Sequence, residues 1–419
     1  MRVLHLSWEY PPVMYGGLGR HVHALAETQA AMGDDVVVIT QSSEGAADDE
    51  VLNGVRVIRV TPVAPDVPFD PTNLVGWVSG FNVSLIRAGL ALLREWNPQV
   101  VHGHDWLVAH SAVILREAAD LPLVVTMHAT EAGRHQGWLP SDVSHAIHSI
   151  EHWVAHEATR VIACSEHMRW EVQRLFDPDK GRTVVIPNGI DPDQWVVSAS
   201  ARARARRRYG TPLVVFAGRL EWEKGVHTLL DAVPRLRRRV PGVRVVIAGR
   251  GGAEDGLRAT ARESRLGRAV SFVGWLPERD LRALIAAADA VVVPSIYEPF
   301  GIIALEAATL GSPLVVSRTG GLAELVEDGR TGWTFATGDR VEMSAALEAA
   351  LTDRRAARRY AAAAREVVLD RHGWPAIAAL TRVLYRDAIR AERSEGQPSE
   401  RPPLRLVSGG DNLLTGVGG

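Results

Sequence analysis

An α/β protein built of two doubly wound, parallel-sheet domains facing a central cleft is what this sequence predicts, on three observations. Short β-branched runs alternate with amphipathic stretches long enough to cross over a sheet. The alternation pauses once, at residues 187–192 and the arginine-rich segment that follows, and then restarts. The chain of 419 residues is too long for one unit at about 150 residues per domain.

Taken in order, the first half predicts strands at 3–6, 36–39, 55–58, 100–102, 123–126, 161–163 and 184–186, each a Val/Ile/Leu-rich run. The second half predicts strands at 213–216, 243–247, 270–273, 291–293 and 314–316. From about 340 to 392 the chain is rich in Ala, Arg and Glu with apolar residues at helical spacing, which predicts two or three helices and no further strand. The domains are therefore drawn at 1–195 and 205–372, with a helix at about 373–392 expected to pack back on the first. Residues 394–419, with Pro402-Pro403 and many small residues, are expected to form a disordered tail.

Composition excludes some functions. A formal charge of −2 and a pI near 6.7 argue against a nucleic-acid partner. A single cysteine, Cys164, excludes an intramolecular disulfide and a multi-cysteine metal cluster, and fits a reducing compartment. No apolar signal core follows Met1, and no uninterrupted run approaches the roughly 18 apolar residues of a membrane span, so a cytoplasmic placement is expected. Of the 47 basic residues all but Lys180 and Lys224 are arginine, which singles out Lys224 inside the sharpest motif.

Gly16-Gly17-Leu18-Gly19 follows the first strand and opens a helix running from His21 to Ala31. Its glycines let a ligand approach the backbone and its free amides favour an anion; a plain strand-to-helix turn is the other reading. The spacing is not the dinucleotide fingerprint. His102, His104 and Asp105 end one strand, and 126–131 (Thr-Met-His-Ala-Thr-Glu) end the next. Strand carboxyl ends line the ligand crevice of open α/β sheets, which brings Asp105 and His128 towards one cleft. The alternative for His128 is a buried ring satisfied by nearby backbone. Histidines 145, 148, 152 and 156 stripe one helix, but no carboxylate or cysteine set completes a metal site, and a polar helix face is the simpler reading.

In the second half, Gly218-Arg219-Leu220-Glu221-Trp222-Glu223-Lys224-Gly225 follows a strand directly. Two cations five residues apart at a cleft edge suit a diphosphate whose charge grows as a bond to it breaks. Glu298-Pro299-Phe300-Gly301 ends another strand, and Glu306 lies about two turns into the next segment. Two carboxylates flanking a helix N-terminus can hold sugar hydroxyls and a ribose while the amides hold phosphate between them.

Together these motifs resemble the family-4 retaining glycosyltransferases, whose GT-B fold pairs two Rossmann-like domains. The resemblance covers roughly residues 1–390. Within the family, Ser7-Trp8-Glu9-Tyr10-Pro11-Pro12 and residues 128–135 resemble bacterial glycogen-synthase-type enzymes, in particular actinobacterial α-1,4-glucosyltransferases of glycogen and methylglucose lipopolysaccharide synthesis. The resemblance implies that Arg219 and Lys224 bind the donor diphosphate, Glu306 the ribose and Glu298 the sugar hydroxyls. It further implies that backbone at Phe300, Gly301 and Ile302 touches sugar and phosphate, and that His128 orients the sugar. Asp105 would then support the acceptor side, and Gly16 and Gly17 would approach the phosphates. Asp177-Pro178-Asp179 and Asp191-Pro192-Asp193 lie in proline turns, so no metal and no other cofactor is expected.

The expected partners are a nucleotide-sugar donor, UDP- or ADP-glucose, and an α-1,4-glucan or related glycoside acceptor. A mannosyl- or glucosyltransferase with a lipid or small-molecule acceptor is the alternative, and would give Arg202, Arg204, Arg206, Arg207 and Arg208 a role at an anionic membrane surface. Otherwise that run is a solvated linker helix. A sugar-nucleotide epimerase or a non-catalytic binding subunit is the further alternative, while a pyridoxal-phosphate phosphorylase conflicts with the scarcity of lysine.

Overall fold

The computed structural model describes residues 1–179 and 181–395; the expected tail at 396–419 lies outside them. The first domain runs β1 (Arg2–Leu6), α1 (Gly17–Ala31), β2 (Asp35–Gln41), β3 (Asp49–Leu52), β4 (Val55–Val60), α2 (Leu74–Leu92), β5 (Val100–His104), α3 (Ala109–Ala119), β6 (Leu123–Met127), α4 (Glu131–Arg134), α5 (Asp142–Glu157), β7 (Arg160–Ala163), α6 (Glu166–Phe176) and β8 (Thr183–Val185). Its sheet has the order β3-β4-β2-β1-β5-β6-β7-β8, parallel throughout except for the β3–β4 hairpin. The sequence reading missed β3. Its Asp-Glu-Val-Leu run is half exposed and carries no apolar alternation, although the Asn53-Gly54 turn, with both φ values positive, is a hairpin signal.

The second domain runs α7 (Ala199–Tyr209), β9 (Leu213–Ala217), α8 (Val226–Arg239), β10 (Arg244–Ala248), α9 (Glu254–Glu263), β11 (Val270–Gly274), α10 (Glu278–Ala287), β12 (Ala290–Val293), α11 (Ile302–Thr309), β13 (Leu314–Ser317), α12 (Leu322–Leu325), β14 (Trp333–Phe335), α13 (Arg340–Thr352) and α14 (Arg354–Arg371). Its six strands are all parallel in the order β11-β10-β9-β12-β13-β14. The three-residue β14 is too short to show a period and was also missed. The arginine run forms α7, capped by Ser198 and tied to α10 through Arg206, which bonds Asp289 and the Ala287 carbonyl. Helix α7 thus begins before the expected start at 205 and is tied to the second domain.

Buried β-branched strands and the apolar stripes of the amphipathic helices build the cores. In α8 the stripe is Val226, Leu229, Leu230, Val233 and Leu236, at helical spacing, each contributing about 1.5–3 kcal/mol on burial. Helix α2 has the length and mean hydropathy of a membrane span, yet its Val78, Phe81, Leu85 and Leu92 are buried in the first domain. Helix α15 (Trp374–Glu395) crosses back, and its Ile377, Leu384 and Tyr385 pack with Val3, Leu25 and Val100. The two segments that cross between the domains lie side by side, with the Ile190 N–H donating to the His372 carbonyl at 2.7 Å.

Strand order fixes where ligands go. The first sheet reverses direction between β1 and β5, the second between β9 and β12. The loops leaving those four strands therefore open crevices at the carboxyl ends of the sheets, and they carry the motifs singled out above.

Candidate active site

The loop after β9 reaches the loop after β12 through one close approach. Gly225 has φ 67°, and a Cβ there would stand 1.9 Å from the Pro294 carbonyl oxygen, so both the backbone angle and the space demand glycine. The Ile296 N–H donates to the Glu223 carbonyl at 2.7 Å. Held this way, Lys224 Nζ donates to Glu298 Oε2 at 2.9 Å, and Ser295 Oγ donates to the same oxygen at 3.0 Å. Arg219, more exposed, donates to Glu223 Oε1 at 2.9 Å. Gly225→Ala is expected to cost about 3 kcal/mol or more, from left-handed strain of about 1–2 kcal/mol plus the clash. Urea unfolding measures it, and an unchanged midpoint would contradict the close approach.

Gly301, with φ 103°, turns the chain into α11. The Phe300 ring is buried edge-on against His372 at 5.7 Å, so this residue offers the cleft its backbone only. Glu306 is buried. Its Oε1 accepts from the Arg20 guanidinium of α1 across the cleft, while Oε2 has no partner among the described residues. Burial raises the Glu306 pKa and Arg20 opposes that rise. A buried, unpaired carboxylate oxygen can accept from a ligand hydroxyl. Gly17 also meets the second domain, since a Cβ there would lie 2.6 Å from Ile302 Cδ1, whereas Gly16 has open space.

On the first-domain side, Asp105 adopts φ 60° and ψ 178°, a conformation normally left to glycine. Its N–H donates to the Thr126 carbonyl at 2.9 Å, and its Oδ1 accepts from the His128 N–H at 2.6 Å. Asp105 therefore fixes the His128 loop; burial pushes its pKa up to about 6, against hydrogen bonds to His128 and Ala129 and the charge of Arg134. The His128 ring is half-buried, with Nε2 3.3 Å from His104 Nδ1. Burial lowers its pKa to about 3, so the imidazole is neutral at pH 7.

The helical histidine stripe does not converge: His145 bonds the Ser141 carbonyl and His156 the Phe176 carbonyl. The histidines that do cluster, His5, His21, His102, His104 and His128, come from two strands, a helix and a loop and have no common spacing. Also missed were Arg20 and Tyr297. The Tyr297 hydroxyl donates to Glu171 Oε1 at 2.7 Å and accepts from the Thr130 N–H, joining the domains. Ser165 Oγ to the Pro299 carbonyl and the Glu324 carboxylate on the Glu166 and His167 N–H groups complete that join. None of these contacts has a local sequence signal.

Comparison with known proteins identifies the family. Residues 15–194 match the family model described as Glycosyltransferase Family 4, and residues 198–367 match Glycosyl transferases group 1. The chain is 44% identical over 415 residues to a glycogen synthase of Mycobacterium tuberculosis, covering 96% of this chain and 98% of that protein. It is 32% identical over 413 residues to the α-maltose-1-phosphate synthase of the same organism, covering 92% and 99%. The structure of sucrose-phosphate synthase from Thermosynechococcus elongatus superposes with a TM-score of 0.80 at 25% identity, covering 93% and 99% of the two chains. The catalytic domain of Arabidopsis thaliana starch synthase IV shares the fold at a TM-score of 0.74 and 20% identity, covering 93% and 99%. By its cleft motifs, its two-domain GT-B architecture and these relatives, the chain belongs to the group 1 and family 4 glycosyltransferases.

Proposed function

We propose that this protein transfers glucose from a nucleoside-diphosphate glucose, UDP- or ADP-linked, to an α-1,4-glucan or related glucose-containing acceptor, with retention and without a metal. The observation that carries this reading is the Lys224–Glu298 pair at the amide end of α11, with Glu306 deeper on the same helix. Each of these two cations is paired with a carboxylate, Lys224 with Glu298 and Arg219 with Glu223. A bound donor exchanges these partners: its diphosphate takes Lys224, Arg219 and the N–H groups of α11, and its sugar hydroxyls take Glu298. The free Oε2 of Glu306 accepts from the ribose. Two fixed cations and a helix dipole supply the charge a divalent cation otherwise brings.

The acceptor hydroxyl then attacks the anomeric carbon on the face from which the diphosphate departs. The bond from that carbon to the phosphate oxygen breaks, the new glycosidic bond forms, and the departing oxygen takes the acceptor's proton. His128, neutral and fixed by Asp105, orients the sugar by hydrogen bonding, so no covalent nucleophile is required. A cytoplasmic placement belongs to the same proposal.

A radiolabelled transfer assay with UDP-, ADP- and GDP-glucose against a maltooligosaccharide ladder, in the presence of EDTA, tests it. Extension of the ladder under chelation is the expected result. A requirement for added metal would overturn the metal-free mechanism, and transfer only to a sugar phosphate or lipid would overturn the glucan acceptor. A lipid acceptor is the second reading, favoured by the exposed Arg202, Arg204, Arg207 and Arg208 of α7.

A further inference from the structure

Behind the sugar side of the cleft, three imidazoles converge: His21 from α1, His104 at the end of β5, and His128 after β6. One nitrogen from each lies within 4.8 Å of the other two. His104 and His21 are buried, whereas His128 is half-buried and so reachable from the cleft.

Their outer partners fix which nitrogens carry protons. Asn188 Oδ1 is 2.6 Å from His21 Nδ1 and can only accept, so the proton is on Nδ1 and Nε2 is a bare lone pair. That Nε2 is buried with no hydrogen-bond partner among the described residues. Gln29 Oε1, 2.8 Å from His5 Nε2, likewise assigns the His5 proton to Nε2. His5 Nδ1 then accepts from His104 Nε2 at 3.1 Å, which leaves His104 Nδ1 bare. Two lone pairs are thereby presented to one space, with their opposite ring N–H groups donated outward. This is the outer arrangement that orients metal-binding histidines. The third nitrogen, His128 Nε2, stands 3.3 Å from His104 Nδ1, close to the ligand–ligand edge of a tetrahedral site with bonds of about 2.0–2.1 Å.

We propose that His21, His104 and His128 form a binding site for a borderline divalent cation, zinc above all, whose occupation inhibits the enzyme. Three neutral imidazoles with no thiolate or carboxylate select such a cation over magnesium or calcium. The ion enters from the cleft, the His128 proton moves from Nε2 to Nδ1, and the fourth coordination position faces the cleft. Zinc inhibition rests on the reading of His128 given above, because coordination takes its ring out of sugar positioning; zinc binding does not.

The test uses the full chain stripped with EDTA and dialysed, titrated with zinc chloride against a chromophoric chelator, beside the transfer assay. One zinc ion per chain at micromolar or tighter affinity is expected, with loss of transfer that EDTA reverses. His21→Gln should weaken zinc binding at least about 30-fold. His152→Gln, which removes a ring of the surface pair His152–His156, should leave zinc binding unchanged. Zinc affinity unaltered in His21→Gln, or lost in His152→Gln, overturns the site. Should His21→Gln fail to fold, nitrogen-15 histidine spectra of the unaltered protein decide: zinc must shift the ring nitrogens of His21, His104 and His128, and a spectrum without those shifts overturns the proposal. Zinc bound at these three rings without loss of transfer keeps the site and overturns the reading of His128.

Discussion

Lys224→Ala is expected to lower kcat by about 10²–10³-fold, some 3–4 kcal/mol of transition-state stabilisation, while the dissociation constant for the nucleotide sugar rises less than about tenfold. The division follows from where charge appears. In the ground state the diphosphate charge is already shared among Lys224, Arg219, the α11 amides and solvent. As the anomeric bond breaks, further negative charge gathers on the departing phosphate oxygen, and Lys224, anchored beside Glu298 and Ser295, is the rigid cation placed to meet it. Removing it also leaves Glu298 without its cation, which weakens sugar binding somewhat. Single-turnover kinetics with calorimetric titration of the donor separate the two quantities, and equal losses in both would contradict the assignment.

The second large effect is acid unfolding. Burial holds His5 at about 4 and His128 at about 3, and keeps His21, His102 and His104 well below their ordinary value. For a group whose folded pKa is depressed, stability is present above the unfolded pKa and is lost as pH falls towards the folded one. Below about pH 6.5 the unfolded chain therefore takes up five protons that the folded protein refuses. Three carboxyl groups act in the opposite sense. Asp105, raised to about 6, Glu151, raised to about 9, and Glu306 are all lifted chiefly by burial. Each is more readily protonated when folded, so its contribution is fully present below its unfolded pKa and lost as pH rises through the folded value. The net is about two to three protons, so stability should fall by about 3–4 kcal/mol per pH unit between about pH 6 and pH 4.5. Urea midpoints measured with chelator present at pH 7, 6 and 5 check this. A flat profile would mean that the buried imidazoles are already charged.

Legibility in the sequence followed the range of each interaction. The parallel strands other than β14 were readable because each is a short apolar run, and their order then places four loops at two crevices with no further information. Lys224, Glu298 and Gly225 were readable because one loop carries each motif whole. The Arg20–Glu306 pair spans 286 residues, and nothing near Arg20 distinguishes it from the other arginines. The five clustered histidines have the same cause: two strand ends bring His102 and His104 beside His5 and His128, and only folding supplies that adjacency. The histidines that did show a regular spacing lie on one helix face, where His145 and His156 meet backbone carbonyls and His152 adjoins, among them, His156 alone.

The paired crossings at Ile190 and His372 determine how this enzyme can move. A single tether would act as a ball joint, free to twist and tilt. Two tethers bonded along one line act as a door hinge, leaving a single soft angle. The contacts on the far lip of the cleft, Gly17 with Ile302 and Arg20 with Glu306, must then part together and re-form together. Opening the cleft for donor exchange then breaks both contacts in one swing.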